Sequence, residues 1–393
     1  MADIALLYDR SESDELGIRL TAEQMGVKLG YLPFYKVAFG FDTHGYQFRS
    51  GGKDYTQALR DVRVVLNRGQ SKNRRVFAAT IMESIGKHVV NPLSVELSCQ
   101  SKVKSLLAFA AKGVNIPKTV YVPCNVSEET GDGDHVDNSE SISGLIEEQL
   151  GSRVVVKPDA GTHGRSVSLA NDHKDLIGVL RGVNSGITNP AGVVAQELVD
   201  KWFYDLRIIV SKEKGKPPSC EPVALVRGGF KEFRTNTFLG NMVFHVDLPH
   251  EVRREAERCG KALAGDGKAW LIAMDAMPRI GAEKTANDED IKKCLGELET
   301  PFAEVTKAKR DPEKKTRFED YSRKVESAYL DYKATEAYEF VQSAVQESLN
   351  KTASRVVFHE GNSCPEFWEQ TRIIAGINVA EPLLRSAGSL LDR

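Results

Sequence analysis

The chain has 393 residues, 41% hydrophobic and 27% charged, the balance of a globular protein too long for one small core, so two or three domains are expected. Lys and Arg total 53 against 55 Asp and Glu, which argues against the basic footprint of a protein that lives on nucleic acid. No stretch approaches the roughly 18 apolar residues of a membrane span, and the six cysteines are scattered with no pair at two-residue spacing, so reduced thiols are expected rather than zinc knuckles or disulfides.

From Met1 the chain reaches Asp3, Asp9 and Arg10 around the short apolar run from Ile4 to Tyr8. That reads as a first strand, not a secretory signal, and a cytoplasmic setting is the expectation. A helix from Asp14 to Leu29, a β-branched strand from Val62 to Leu66, a helix from Lys72 to Ile85 and a strand from Lys87 to Val90 follow. This βαβ rhythm predicts a small open sheet with helices packed on it. Ser101 to Lys112 is a helix with Val103, Leu106, Leu107 and Ala110 at helical spacing, and residues 123–144, rich in Asp, Glu, Ser and Gly, read as a mobile surface loop.

Val154 to Val156 is a short buried strand running into Lys157 and Pro158. Several strands are expected between Val193 and Val226, broken by a turn from Lys212 to Pro218. A helix from Glu251 to Ala264 and a strand from Trp270 that ends at Asp275 come next. Residues 280–354 differ in texture: they are dense in both charge signs, and Phe318, Tyr321, Val325, Ala328 and Tyr332 follow a helical stripe. A helical hairpin inserted between two core strands is predicted, its charges forming a solvated face.

Four segments carry chemistry. In the first, Lys157 ends a buried strand and a small-residue turn follows, Gly161-Thr162-His163-Gly164-Arg165. An ammonium and backbone N–H groups can gather around phosphates there, with glycine allowing close approach. The Walker Gly-Lys-Ser/Thr ending is absent, and a plain glycine-rich hairpin explains the segment equally well. The second segment is Gln196-Glu197-Leu198-Val199, with Asp205 and Arg207 shortly after; it suits a flat heterocycle and ribose hydroxyls, or is simply an amphipathic edge strand.

The third segment, Arg227 and then Arg234-Thr235-Asn236, reads either as surface charge or as guanidinium groups for a phosphoryl group or a substrate carboxylate. The fourth is the most specific. Asp275 closes one apolar strand, and Glu360 and Asn362 lie at equal parity on another. Together they offer the hard oxygen ligands that Mg²⁺ uses when it bridges nucleotide phosphates. His163, His359 and Cys364 lie near these segments but read as packing or strand-end residues.

Taken in order, these segments resemble the ATP-grasp superfamily, in particular its RimK-like carboxylate–amine ligase branch. The likeness begins at Leu66-Asn67-Arg68-Gly69, passes Val90-Asn91-Pro92, Ser101-Lys102 and Asn115-Ile116-Pro117, and ends at Gly376-Ile377-Asn378-Val379-Ala380. It implies an α/β (α+β) ATP-grasp fold in three parts: a Rossmann-like pre-ATP-grasp domain over 1–95, a central lid subdomain over 96–195, and a C-terminal subdomain over 196–393. The last carries the helical insertion over about 280–354, which makes the spacing from Asp275 to Glu360 far longer than usual in the family. Leu239-Gly240-Asn241 stands where the family often has a Gly-Gly pair.

The resemblance implies that Lys102, Lys157 and the turn from Gly161 to Arg165 contact the nucleotide. It further implies that Gln196, Glu197, Leu198 and Val199 flank adenine and that Asp205 and Arg207 lie near the ribose. Arg227, Arg234 and Asn236 would surround the acyl-phosphate, and Asp275, Glu360 and Asn362 would hold one or two Mg²⁺, or Mn²⁺. ATP, a small-molecule or peptide carboxylate and an amine are the implied partners, with no nucleic acid and no membrane. Similar ligases commonly form dimers and tetramers, so a homo-oligomer is among the implications. Two other readings stay open at this point: an ATP-grasp kinase acting on a hydroxyl, and a nucleotide-binding scaffold without catalysis.

Overall fold

The computed structural model describes residues 2–123, 126–129, 135–161, 166–183, 192–235 and 240–391. Its first sheet is parallel, in the spatial order Leu29–Pro33, Ile4–Tyr8, Val64–Arg68, His88–Val90. Both faces of these strands are covered. Ile4, Leu6, Val64 and Leu66 enter a core shared with the C-terminal half of the chain, while Ala5, Leu7 and Val65 enter a second core beneath the helix Lys72–Ser84. Burial on both faces is why the runs are continuously apolar rather than alternating.

The first helix is shorter than its apolar pattern suggests, spanning Ser13–Gln24. Gly26, at φ 68°, takes the left-handed position after the helix, and the Val27 N–H closes back on the Ala22 carbonyl at 2.8 Å. That is a Schellman stop, and it frees Leu29–Pro33 to form a strand. A small antiparallel sheet, Val37–Asp42, Gly45–Ser50 and Lys53–Asp54, follows where no strand was predicted.

The second sheet is antiparallel, in the order Ser168–Ala170, Val154–Pro158, Val193–Glu197, Thr119–Val122. It has its own core, closed by the helices Ser139–Leu150 and His173–Gly182. The described part of 123–144 is not all loop. It holds the strand pair Ser127–Glu129 and His135–Asp137 and the first turns of a helix.

The third sheet runs Met242–Asp247, Val223–Gly228, Tyr204–Lys212, Trp270–Pro278, Val356–Asn362, antiparallel throughout, with Ser219–Cys220 paired beside Tyr204–Lys212. Asp275 does not end its strand; pairing continues to Pro278. Asn91, which follows the last strand of the first sheet, ties the two sheets together. Its amide donates to the Leu271 and Ser363 carbonyls, each at 2.6 Å, and its oxygen accepts from the Leu271 N–H at 2.7 Å.

The insertion is three helices rather than a hairpin: Asp288–Lys309, Phe318–Lys333 and Glu336–Thr352. It packs across the edge strand Met242–Asp247, where the Tyr332 hydroxyl donates to the Val243 carbonyl at 3.1 Å and Phe244 lies against Tyr338. No helix among the described residues is long and apolar enough to cross a membrane. None of the five described cysteines is in a disulfide.

Candidate active site

Open parallel sheets present ligand crevices beyond the carboxyl ends of their strands, where the strand order reverses. Here the reversal falls between Ile4–Tyr8 and Val64–Arg68, and Arg10 and Arg68 lie just there. Both line a cavity of about 580 Å³ that continues between the second and third sheets.

The charged floor of this cleft is a product of register. Tyr204–Lys212 pairs on one side with Trp270–Pro278, setting Arg207 opposite Asp275, and on the other with Val223–Gly228, setting Asp205 opposite Arg227. Arg207 holds Asp275 with two bonds of 3.0 Å. Arg227 reaches Asp275 at 3.2 Å and Asp205 at 2.7 Å. Opposite charges facing each other across strands stabilise a sheet, and buried charges need such partners.

On the neighbouring strand, Glu360 pairs with Asp275 by register, and the Asn362 amide donates to Asp275 at 3.1 Å. Glu360 accepts from Lys72 at 3.0 Å. Burial works against ionised carboxyls here, but Arg207 and Arg227 overcome it and hold Asp275 well below the usual carboxylate range. For Glu360 the same burial is overcome by Lys72 and Lys102, leaving it at about 2.

Two lysines lean in from the second sheet side. Lys102, on the first turn of the helix Lys102–Ala111, donates to the carbonyls of Asp159 at 3.1 Å and Gly161 at 3.2 Å. Burial lowers its pKa. Burial and then the Lys102 charge bring Lys157 down to about 8.

Gln196, Glu197, Leu198 and Val199 line the cleft as its edge between the second and third sheets. Glu197 accepts from the Lys118 N–H at 2.6 Å and pairs with Arg279; the Val199 carbonyl accepts from the Lys201 N–H at 2.8 Å. Asp205, expected beside a ribose, has both oxygens engaged, by Arg227 and by the Thr235 hydroxyl at 2.5 Å. Arg234 lines the same cleft and is paired with Glu232. Thr162, His163, Gly164, Arg165 and Asn236 lie outside the described residues.

The far end of the cleft was not read from the sequence. Arg68 donates to the Pro365 carbonyl and pairs with Asp14 and Glu15. Asp14 in turn accepts the N–H groups of Phe367 and Trp368 at 3.0 and 2.8 Å. These bonds pin the segment after Asn362 onto the first lobe. At the mouth, one oxygen of Glu369 accepts from Ser13, from the Tyr321 hydroxyl and from Lys314, the last at 2.9 Å. Lys314 and Tyr321 belong to the insertion, so that segment supplies part of the cleft wall.

Lys201, lowered to about 8 by burial, also faces the cleft. Of these unpredicted residues only Arg68 had a local signal, at the end of Leu66-Asn67-Arg68-Gly69. Lys72, Lys201 and Lys314 had none.

Residues 100–268 match the family model of the RimK-like ATP-grasp domain. The alpha-aminoadipate–LysW ligase LysX of Sulfurisphaera tokodaii is 24% identical over 263 residues, 67% of this chain and 81% of that protein. A probable alpha-L-glutamate ligase of Picosynechococcus sp. is 29% identical over 185 residues, 46% of this chain and 53% of that protein. Among solved structures, a RiPP-associated ATP-grasp ligase of Chryseobacterium gregarium, in complex with ADP and a leader and core peptide, aligns with a TM-score of 0.54. That alignment covers 100% of this chain and 98% of the other at 12% identity, a likeness of fold.

Residues 100–268 of this chain are thus similar to a RimK-like ATP-grasp domain, within a chain whose overall fold resembles that ligase's.

Proposed function

We propose that the chain is an ATP-dependent ligase that joins a carboxylate to an amine through an acyl-phosphate, and that the cleft binds ATP at its lysine-lined end and the co-substrates at its Arg10–Lys314 end. The observation that supports this most is the meeting, in one cavity, of Lys102 and Lys157 with the oxygen donors Asp275, Glu360 and Asn362. In this reading a carboxylate oxygen of the first substrate attacks the γ-phosphorus, and the bond to the β–γ bridging oxygen breaks to release ADP. The amine nitrogen then attacks the acyl carbon, loses a proton, and phosphate departs with the C–O bond electrons.

Lys102 and Lys157 hold the polyphosphate and balance its charge. Gln196 to Val199 edge the adenine. Arg227 and Arg234, with Asn236 after them, stabilise oxyanions by fixed charge, a contribution that elsewhere amounts to a few kcal/mol. Asp205 acts by orienting Arg227, since both its oxygens are taken.

Two carboxylates and an amide oxygen from adjacent strands suit a hard divalent ion. Among the described residues no group of three His, Cys, Asp or Glu forms a metal cluster, so the amide of Asn362 is needed to complete the set. Mg²⁺ there, one ion or two, with Mn²⁺ as a substitute, would draw charge from the polyphosphate.

The carboxylate substrate is a small molecule or a peptide, and the amine an amino acid. A coupled ADP-release screen of paired amino acids and carboxylates, with mass spectrometry of the product, tests this. ADP release that needs both partners and an amide product are expected. AMP with pyrophosphate would overturn the acyl-phosphate, and ADP release indifferent to any amine would point to a kinase instead.

A further inference from the structure

Among the described residues, one buried polar side chain of the cleft is left without a partner. Val356–Asn362 pairs Phe358 with Ala276 and Glu360 with Asp275, so His359 is the extra residue at the register shift. In a regular strand, neighbours point to opposite faces. Phe358 is buried in the core, and Gly361 packs so closely on Leu263 that an added Cβ would lie 2.3 Å from its Cδ1. His359 and Glu360 nevertheless both line the cleft, because a bulge turns two consecutive residues to one side.

Both ring nitrogens of His359 are buried, and neither has a hydrogen-bond partner among the described residues. Buried polar groups are nearly always paired, so an orphan facing a cavity points to a ligand that supplies the missing bond. The charges acting on this ring are those of Lys157, Asp275, Glu360 and Asp205, the side chains around the polyphosphate end of the cleft rather than its adenine edge. An imidazole has a ring N–H to give whichever of its nitrogens carries the proton.

We propose that the bulge at His359 makes its imidazole a positioning residue for the polyphosphate, one ring N–H donating to a phosphate oxygen beside Lys157. This rests on the nucleotide reading above. A directional donor fixes where a phosphate oxygen sits, which the charge of Lys157 alone does not.

The test is calorimetric binding of AMPPNP and of AMP, with magnesium, to the full chain and to His359→Leu and His359→Gln. A hydrogen bond to a charged oxygen predicts that His359→Leu loses about tenfold in AMPPNP affinity while AMP is held as before. His359→Gln, which keeps a donor, recovers part of the loss and carries the test if His359→Leu does not fold. An unchanged AMPPNP-to-AMP ratio overturns the proposal, as does a parallel loss of both ligands. If the unaltered chain binds AMP but shows no gain for AMPPNP, this role for His359 fails. If it binds neither, the nucleotide reading fails with it.

Discussion

Burial and then the Lys102 ammonium work against the charge on Lys157, Glu360 and Asp275 offset them only in part, and the polyphosphate proposed above would add to that support. With its pKa near 8 in the free protein, Lys157 is charged below that pH and loses its proton as pH rises through it. Above pH 8, nucleotide binding must first bring a proton in, so AMPPNP affinity is expected to fall between about pH 7 and pH 9.5. In Lys157→Arg the guanidinium stays charged over this range, and the fall should flatten; an equal slope in both proteins would refute the assignment. A lysine closing the strand Val154–Pro158 before a glycine turn was visible in the sequence. Its depressed pKa was not, because that depends on Lys102, which arrives from another helix.

At the scale of the element, the helix Ser13–Gln24 is fitted to the segment that follows Asn362. A Cβ added to Gly17 would lie 2.1 Å from the Trp368 ring, and the backbone of Trp368 is anchored by Asp14 on the same helix. Alanine has the better helix propensity by about 1 kcal/mol, yet Gly17→Ala is expected to destabilise. A rigid indole held at both backbone and ring cannot yield easily, and overpacking of this kind costs typically 1–3 kcal/mol. Denaturant unfolding measures it, and a gain in stability would show that the indole moves freely. The helix itself was legible from its apolar pattern. Its early stop at Gly26 was missed because the predicted pattern ran on into residues that pair as a strand.

At the scale of the molecule, the cleft is assembled from segments hundreds of residues apart. The first lobe sends Lys72 to Glu360 and Ser13 to Glu369, and the insertion sends Lys314 to the same Glu369 oxygen. If the mouth receives the co-substrates, Lys314→Ala should raise KM severalfold for the carboxylate or amine identified in the screen, with KM for ATP unchanged. Glu369 keeps Ser13 and the Tyr321 hydroxyl as donors when Lys314 is removed, so a folded variant is expected. Steady-state kinetics with each substrate varied in turn decides it. Unaltered KM values throughout would make the insertion a scaffold for the edge strand and nothing more.

The amino-acid order by itself determined the strands and turns on which the proposed nucleotide and metal groups stand. Lys157 before its turn, the Gln196 to Val199 run, Asp275, and the equal parity of Glu360 and Asn362 are all set by local periodicity and turn chemistry. Only the tertiary structure decided what faces them. Cross-strand register set Arg207 and Arg227 against Asp275, a one-residue shift turned His359 into the cavity, and the docking of lobe and insertion brought in Lys72 and Lys314. Local rules act over a few residues, whereas these pairings join positions from 48 to 288 apart, and nothing in the neighbourhood of either residue encodes the distance to the other.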